Sequence, residues 1–282
     1  MTQYVLTLSC PDRPGIVAAV SGVLAERDCN IVESQQFGDR GTGRFFLRTQ
    51  FDAPEGLGEG ALTEAFTALG PEFALDWHLY DRAVPTRVLI LVSKYGHCLN
   101  DLLYRHRSGL LGIDVVAVAS NHPDMRPLTQ SYGIDYHHLP VSAKNRAAQE
   151  AEILALVEHY QADLVVLARY MQILTDDLCA KLPGRIMNIH HSFLPSFKGA
   201  KPYHQAYERG VKLIGATAHY VTPHLDEGPI IEQEVARVDH THGPDELMAV
   251  GRDMECLALA RAVRWQAEHR VLINADRTVV LR

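Results

Sequence analysis

The 282-residue chain is 47% apolar and 22% charged, enough to bury a sizeable core and long enough for two domains. Its 34 acidic and 27 basic side chains give a formal charge of -7 with no stripe of Lys and Arg, which argues against nucleic acid as a partner. Cys10, Cys29, Cys98, Cys179 and Cys256 are scattered and never spaced as C-x-x-C, MTQYVLTLSCPDRPG lacks the pattern of an export signal, and no apolar run approaches membrane-spanning length; the reading is a reduced, cytoplasmic protein with neither disulfide framework nor membrane segment.

Tyr4 to Ser9 alternates as a strand, PDRPG breaks it, and Ile16 to Arg27 carries apolar residues at helical spacing. Asn30 to Phe37 and Arg44 to Phe51 read as strands joined by the turn Gly38-Asp39-Arg40-Gly41, followed by a helix around Leu62 to Leu69 and a strand from Phe73 to Tyr80. The order βαββαβ is the ferredoxin-like unit. DRAVPT, Asp81 to Thr86, is a polar joint, so the chain divides into a first domain over residues 1–82 and a second over 87–282. In the second, Arg87 to Ser93, Asp114 to Ala119 and Asp163 to Leu167 read as strands buried on both faces, with helices near Leu99 to His106 and Ala147 to His159. This predicts an α/β, Rossmann-like, mostly parallel sheet with helices on both faces, and such sheets bind ligands at the carboxyl ends of their strands. RIMNIHH delivers Asn188 and His190 there. A strand over Ile214 to Val221, a long helix over Asp245 to His269 and two short strands complete the chain.

Asn188, His190 and Asp226, the last in the loop TPHLDEGP, each have an ordinary explanation: a turn cap, a satisfied core histidine, a polar turn. Together they form the set needed to attack a carbonyl with water. The amide and a protonated imidazole can hold the oxygen as it becomes negative, while the carboxylate orients water and manages protons. The competing arrangement, zinc held by His190, His191, His219, His224 and Asp226, lacks H-E-x-x-H or cysteine-pair spacing, so no metal is expected. His240 and His242, before a proline-containing helix start, read as capping and surface residues.

NIHHSFLPSFKGAKPYHQAYERGVKLIGATAHYV, followed by LDEGPII and preceded by VLARYMQIL, resembles the catalytic core of the folate-dependent formyltransferase family across most of residues 87–282. The resemblance implies that Asn188, His190 and Asp226 form the catalytic triad. It also implies a folate pocket lined by Tyr170, Met171, Gln172, Leu174, Tyr220, Val221 and Thr222, with a folate substrate and no separate cofactor. Family members that formylate glycinamide ribonucleotide carry proline after the motif histidine and a small polar phosphate-cradling loop of the S-G-N-G-S-N kind. Here His191 follows the motif histidine, and SKYGHCLND puts His97 and Cys98 where the loop donors would stand. The implied acceptor is therefore water, and the implied reaction hydrolysis of 10-formyltetrahydrofolate to tetrahydrofolate and formate, in one-carbon metabolism and formate supply for purine synthesis. The alternatives are a formyltransferase to an amine acceptor and a non-catalytic amino-acid sensor.

DRPGIVAAVSGVLAERDCNI resembles the ACT domain, which implies an amino-acid effector near Asp12, Arg13, Gly15 and Asn30, or else a module serving assembly alone. Two helices cover only one face of such a sheet, and the strands at 30–51 hold Ile31, Val32, Phe37, Phe45, Phe46, Leu47 and Phe51. That surplus of apolar surface predicts a homo-oligomer, dimer or tetramer, paired through this module.

Overall fold

In the computed structural model, which describes residues 1–195 and 202–282, contacts divide the chain into two compact units. The first is built on strands β1 (Thr2–Pro11), β2 (Asn30–Asp39), β3 (Arg44–Ala53) and β4 (Asp76–Asp81) in the order β2-β3-β1-β4, all neighbours antiparallel. Helices α1 (Ile16–Ala25) and α2 (Glu59–Phe73) pack on this sheet. Period-two alternation explains how they pack. Tyr4, Leu6, Leu8 and Cys10 of β1 and Phe45, Leu47, Phe51 and Ala53 of β3 share one buried cluster with Ile16, Val20 and Leu24 of α1 and Leu62, Phe66 and Phe73 of α2.

The structure corrects the sequence reading at Phe73, expected to open a strand. Gly70-Pro71 looks like a break, but α2 continues through Pro71 because Leu62, Phe66 and Phe73 recur at helical spacing and are buried together. The chain leaves the helix only at Ala74, in the left-handed region at φ 51.

The expected second domain over 87–282 is also corrected at its end, since Glu268–Asn274 and Thr278–Arg282 belong to the first unit with Met1–Pro85. On β3, Phe46, Arg48 and Gln50 alternate to the face away from the helices and are buried. Arg48 donates through Nε to the Glu268 carbonyl at 3.0 Å and through Nη1 to Glu33 at 2.7 Å. Arg270 reaches Glu33 through Nη2 at 3.2 Å, Asn274 donates to Asp39 at 2.7 Å, and the His269 ring stacks on Tyr80 at 3.5 Å between centroids. A polar network keeps these C-terminal residues, including β12 (Val271–Asn274), with the N-terminal sheet, which hydropathy alone did not reveal. Burial opposes ionisation of Glu33, but hydrogen bonds from Arg270 and Arg48 outweigh it and hold its carboxyl below the usual range.

The second unit, Thr86–Ala267 with Ala275–Arg277, carries a seven-stranded sheet. Its strands are β5 (Thr86–Val92), β6 (Ile113–Ser120), β7 (Tyr136–His138), β8 (Leu164–Leu167), β9 (Ile186–His190), β10 (Leu213–Tyr220) and β11 (Ile230–Arg237). The order is β11-β10-β9-β8-β5-β6-β7; pairs from β9 through β7 are parallel, and β10 runs antiparallel to both its neighbours. Leu89, Ile90 and Leu91 of β5 are buried on both faces, as a central strand requires. Helices α3 (His97–Arg107), α4 (Arg126–Ser131), α5 (Arg146–His159), α6 (Asp176–Lys181), α7 (Pro202–Arg209) and α8 (Pro244–Ala267) complete the unit. From β5 the chain goes outward to β6 and β7, then returns to lay β8 on the other side of β5. That reversal opens a crevice at the carboxyl ends of β5 and β8. Short α4, α6, α7 and β7, and the edge strand β11, were not resolved in the sequence because each is too brief or too polar to show a period. Among the described residues, no helix is long and apolar enough to cross a membrane.

Candidate active site

A cleft of about 250 Å³ opens at the carboxyl ends of β8 and β9, lined by residues 167 and 169–174, 188–191, 219 and 221–226. The two-residue spacing of Asn188 and His190 in β9 puts both on one face, and both line the cleft. Antiparallel pairing sets His219 of β10 directly opposite Asn188. Its ring completes a chain the sequence did not disclose. His219 Nδ1 lies 2.9 Å from the Tyr220 carbonyl and must donate to it, which leaves Nε2 as an acceptor. Asn188 Nδ2 lies 3.2 Å from that Nε2 and donates to it, so the amide has a fixed orientation. Burial depresses the basicity of His219, in keeping with the neutral ring this requires.

Asp226 arrives from the loop after β10. Gly228 lets this loop close: a Cβ there would lie 1.8 Å from the Tyr220 carbonyl oxygen, a contact only glycine avoids. Asp226 itself sits at φ 57, a conformation that L-residues rarely adopt. Its Oδ1 is 3.2 Å from His190 Nδ1 and 3.7 Å from His219 Nε2. Burial raises its proton affinity, but the hydrogen bond from His190 and the positive charge of that ring when protonated outweigh this and hold the carboxyl below its ordinary value. His190, 5% exposed, thus has Nδ1 on a carboxylate, while its Nε2 is buried with no hydrogen-bond partner among the described residues. A buried imidazole nitrogen without a partner beside a cleft is disposed to meet a ligand. His191, whose ring centroid is 4.8 Å from that of His190, has its pKa lowered to about 4 by burial, Arg169 and His190.

Of the residues expected to contact a planar ligand, Tyr170, Met171, Gln172, Leu174, Val221 and Thr222 line the cleft. Tyr170 is pinned by Gln149, which donates to its hydroxyl at 2.8 Å, while Met171, Ile173 and Leu225 are half exposed and form an apolar rim. Tyr220 departs from expectation: it is 3% exposed, is absent from the lining, and donates its hydroxyl to Gln266. Strand alternation explains the difference, because His219 turns toward the cleft and its neighbour must turn away. The SFKGAK part of the long motif, 196–201, lies outside the described residues.

His97 and Cys98 begin α3 but face α8, not an open loop: His97 Nε2 is 2.6 Å from Glu255 Oε2, and Cys98 is fully buried in hydrogen-bond contact with Cys256. Glu255 also accepts from the Tyr203 hydroxyl at 2.8 Å. The buried residues of α8 include the apolar Leu247, Ala258 and Val263 but also Glu255, which has no apolar signature. Among the described residues, metal-ligand proximity is met by His97, Cys98 and Glu255. The nearby Arg169, with Nε 3.4 Å from Glu255 Oε2, disfavours a second cation there.

In the first unit, Asp12, Arg13 and Gly15 form the turn between β1 and α1, and Asn30 opens β2. Gly15 adopts φ 98, which glycine alone reaches without strain. The Asp12 amide donates to Gly43 at 2.9 Å, and Arg13 lies 4.3 Å over the Phe73 ring.

Comparison with known proteins shows which families the chain resembles. Residues 86–263 match the formyl transferase family and residues 4–69 the ACT domain. The chain is 56% identical to formyltetrahydrofolate deformylase of Corynebacterium sp. (strain P-1), covering 99% of this chain and 98% of that one. The crystal structure of formyltetrahydrofolate deformylase from Burkholderia mallei superposes with a TM-score of 0.96 at 52% identity, covering both chains fully at 100%. Glycinamide ribonucleotide transformylase 1 from Symbiobacterium toebii matches 73% of this chain and 98% of its own, with a TM-score of 0.67 and 32% identity.

Proposed function

The chain belongs to the formyltetrahydrofolate deformylase family, with both an ACT and a formyl transferase domain, and from that premise we propose that it hydrolyses 10-formyltetrahydrofolate to tetrahydrofolate and formate through Asn188, His190 and Asp226. The observation that carries the residue assignment is the pair His190–Asp226 at 3.2 Å, with His190 Nε2 unpartnered among the described residues at the cleft and Asn188 oriented by His219. Water attacks the formyl carbon. The remaining Asn188 N–H and His190 Nε2 hold the oxygen as it gains charge, while Asp226 orients water and supports the imidazolium. The tetrahydrofolate nitrogen leaves as an amine. No oxidation state changes, so the reaction calls for no redox cofactor, and the apolar rim of Met171, Ile173 and Leu225 suits the pterin ring. We read the enzyme as cytoplasmic, supplying one-carbon balance and formate for purine synthesis.

Purified protein releases formate from 10-formyltetrahydrofolate with no acceptor supplied, as read by a formate dehydrogenase assay. Glycinamide ribonucleotide in excess changes neither product nor rate, because His97 engages Glu255 where an open loop would hold a phosphate. Formylated nucleotide formed as fast as formate would establish the transferase alternative, and absence of both products the sensor.

We also assign assembly, and any amino-acid effector at Asp12, Arg13, Gly15 and Asn30, to the first unit. Its β2 edge strand exposes Ile31, Val32 and Phe37 by 38%, 51% and 47%, apolar surface that pairing would cover. The full-length Val32→Lys, Phe37→Lys double variant sediments as a smaller particle than the parent dimer or tetramer; an unchanged particle refutes this interface.

A further inference from the structure

Hydrolysis presents the site with a species that transfer to an amine never produces. The water oxygen bonds to the formyl carbon, the carbon–nitrogen bond breaks, the nitrogen leaves with a proton, and the acid so formed loses its own proton to become formate, a carboxylate anion.

Among the described residues lining the cleft, Arg169 is the only lysine or arginine. It lies two residues past the end of β8 and sits at φ 63, a conformation strained for any residue with a Cβ. The surroundings hold it there: the Ser93 amide donates to the Arg169 carbonyl at 3.2 Å, and the Ser93 hydroxyl accepts from the Met171 amide at 2.9 Å. Strain maintained at the edge of a cleft points to a side chain whose position matters. Its Nε lies 3.4 Å from Glu255 Oε2 without hydrogen-bond alignment, and Nε and Nη1 are both buried with no hydrogen-bond partner among the described residues. Glu255, 1% exposed, is already engaged on one oxygen by His97 at 2.6 Å and on the other by Tyr203 at 2.8 Å. The carboxylate thus balances the charge of Arg169 while leaving Nε and Nη1 without a hydrogen bond. Buried charged donors without acceptors are costly unless a ligand supplies them. His190 Nε2, of a ring lining the same cleft, is a third buried nitrogen without a hydrogen-bond partner among the described residues.

We propose that Arg169 is the binding residue for the formate product, its guanidinium donors taking the carboxylate that water, and not an amine, creates. This rests on the hydrolytic reading above and deepens it by assigning a product subsite. The subsite is selective for small monocarboxylates, because the planar guanidinium matches two carboxylate oxygens. Glu255, with His97 and Tyr203, acts as a positioning group for it.

The test uses the full-length enzyme and sodium formate at constant ionic strength, against Arg169→Gln, Arg169→Lys and Arg169→Gly. Glycine suits the left-handed backbone, so it removes the guanidinium while relieving strain and guards against a folding failure of the glutamine variant. Two readings are taken: the formate inhibition constant during hydrolysis, and broadening of the carbon-13 formate resonance by unliganded protein. Arg169→Gln and Arg169→Gly raise the inhibition constant by about tenfold or more and remove the broadening, while Arg169→Lys, which keeps the charge, restores much of both. If the parent releases formate but its inhibition by formate matches that of all three variants, or formate does not bind at all, the assignment falls while the hydrolytic function stands. If the parent releases no formate, the function falls instead, and the resonance of free formate still reports whether Arg169 binds it.

Discussion

Asp226→Asn lowers the turnover number by about a hundredfold or more, and His190→Ala does the same, while tetrahydrofolate affinity changes little. Both effects come from charge that exists only in the transition state. Asp226 is held ionised by its neighbours, and at 3.2 Å from His190 Nδ1 its negative charge stabilises the ring only when Nε2 faces a developing oxyanion or takes up a proton. Asparagine keeps the volume and loses that charge. The folate side of the cleft, Tyr170 to Leu174 and Val221, does not touch this pair through charge, so ground-state binding survives. Single-turnover kinetics with calorimetric titration of tetrahydrofolate separate the two quantities. Either variant keeping more than about half of the parent turnover would overturn its assigned role.

Arg48→Ala destabilises the first unit by about 3 kcal/mol, because truncation removes both the packing and the counter-charge of a guanidinium that is 1% exposed. Glu33 retains Arg270, at 3.2 Å, and its own side chain is 31% exposed, so the loss stays at the lower end of what breaking a buried ion pair costs. Arg48→Met refills the volume and loses less. The second consequence is local. Without the Nε–H donor to the Glu268 carbonyl, the C-terminal residues 268–282 lose an anchor, and hydrogen exchange of their amides accelerates in Arg48→Ala more than elsewhere in the chain. Unchanged protection of that segment, with a thermal midpoint within about 1 °C of the parent, would refute the anchoring role.

The alternation of Tyr4 to Ser9, the helical spacing from Ile16 onward and the uninterrupted apolar run at Arg87 to Ser93 are local patterns, so the two sheet types and their order along the chain were legible without coordinates. So was the meeting place of Asn188 and His190, since two residues on one face at the end of a parallel strand can only point into the crevice there. What the chain does not display locally is pairing between distant segments. His219 became part of the site through antiparallel register with Asn188, 31 residues earlier, and the same alternation removed Tyr220 from the lining. Arg169 and Glu255 come together from just past β8 and from the middle of α8, and no local pattern in either segment announces the other; the cost of burying each charge alone is what makes their proximity necessary. Likewise the last residues return to the first unit because Arg48, an interior charge with no hydropathic signal, needs the Glu268 carbonyl and the Glu33 carboxylate. Periodicity is written into each segment, whereas the satisfaction of buried polar groups is decided only when segments meet, because a partner's identity depends on where the backbone carries it.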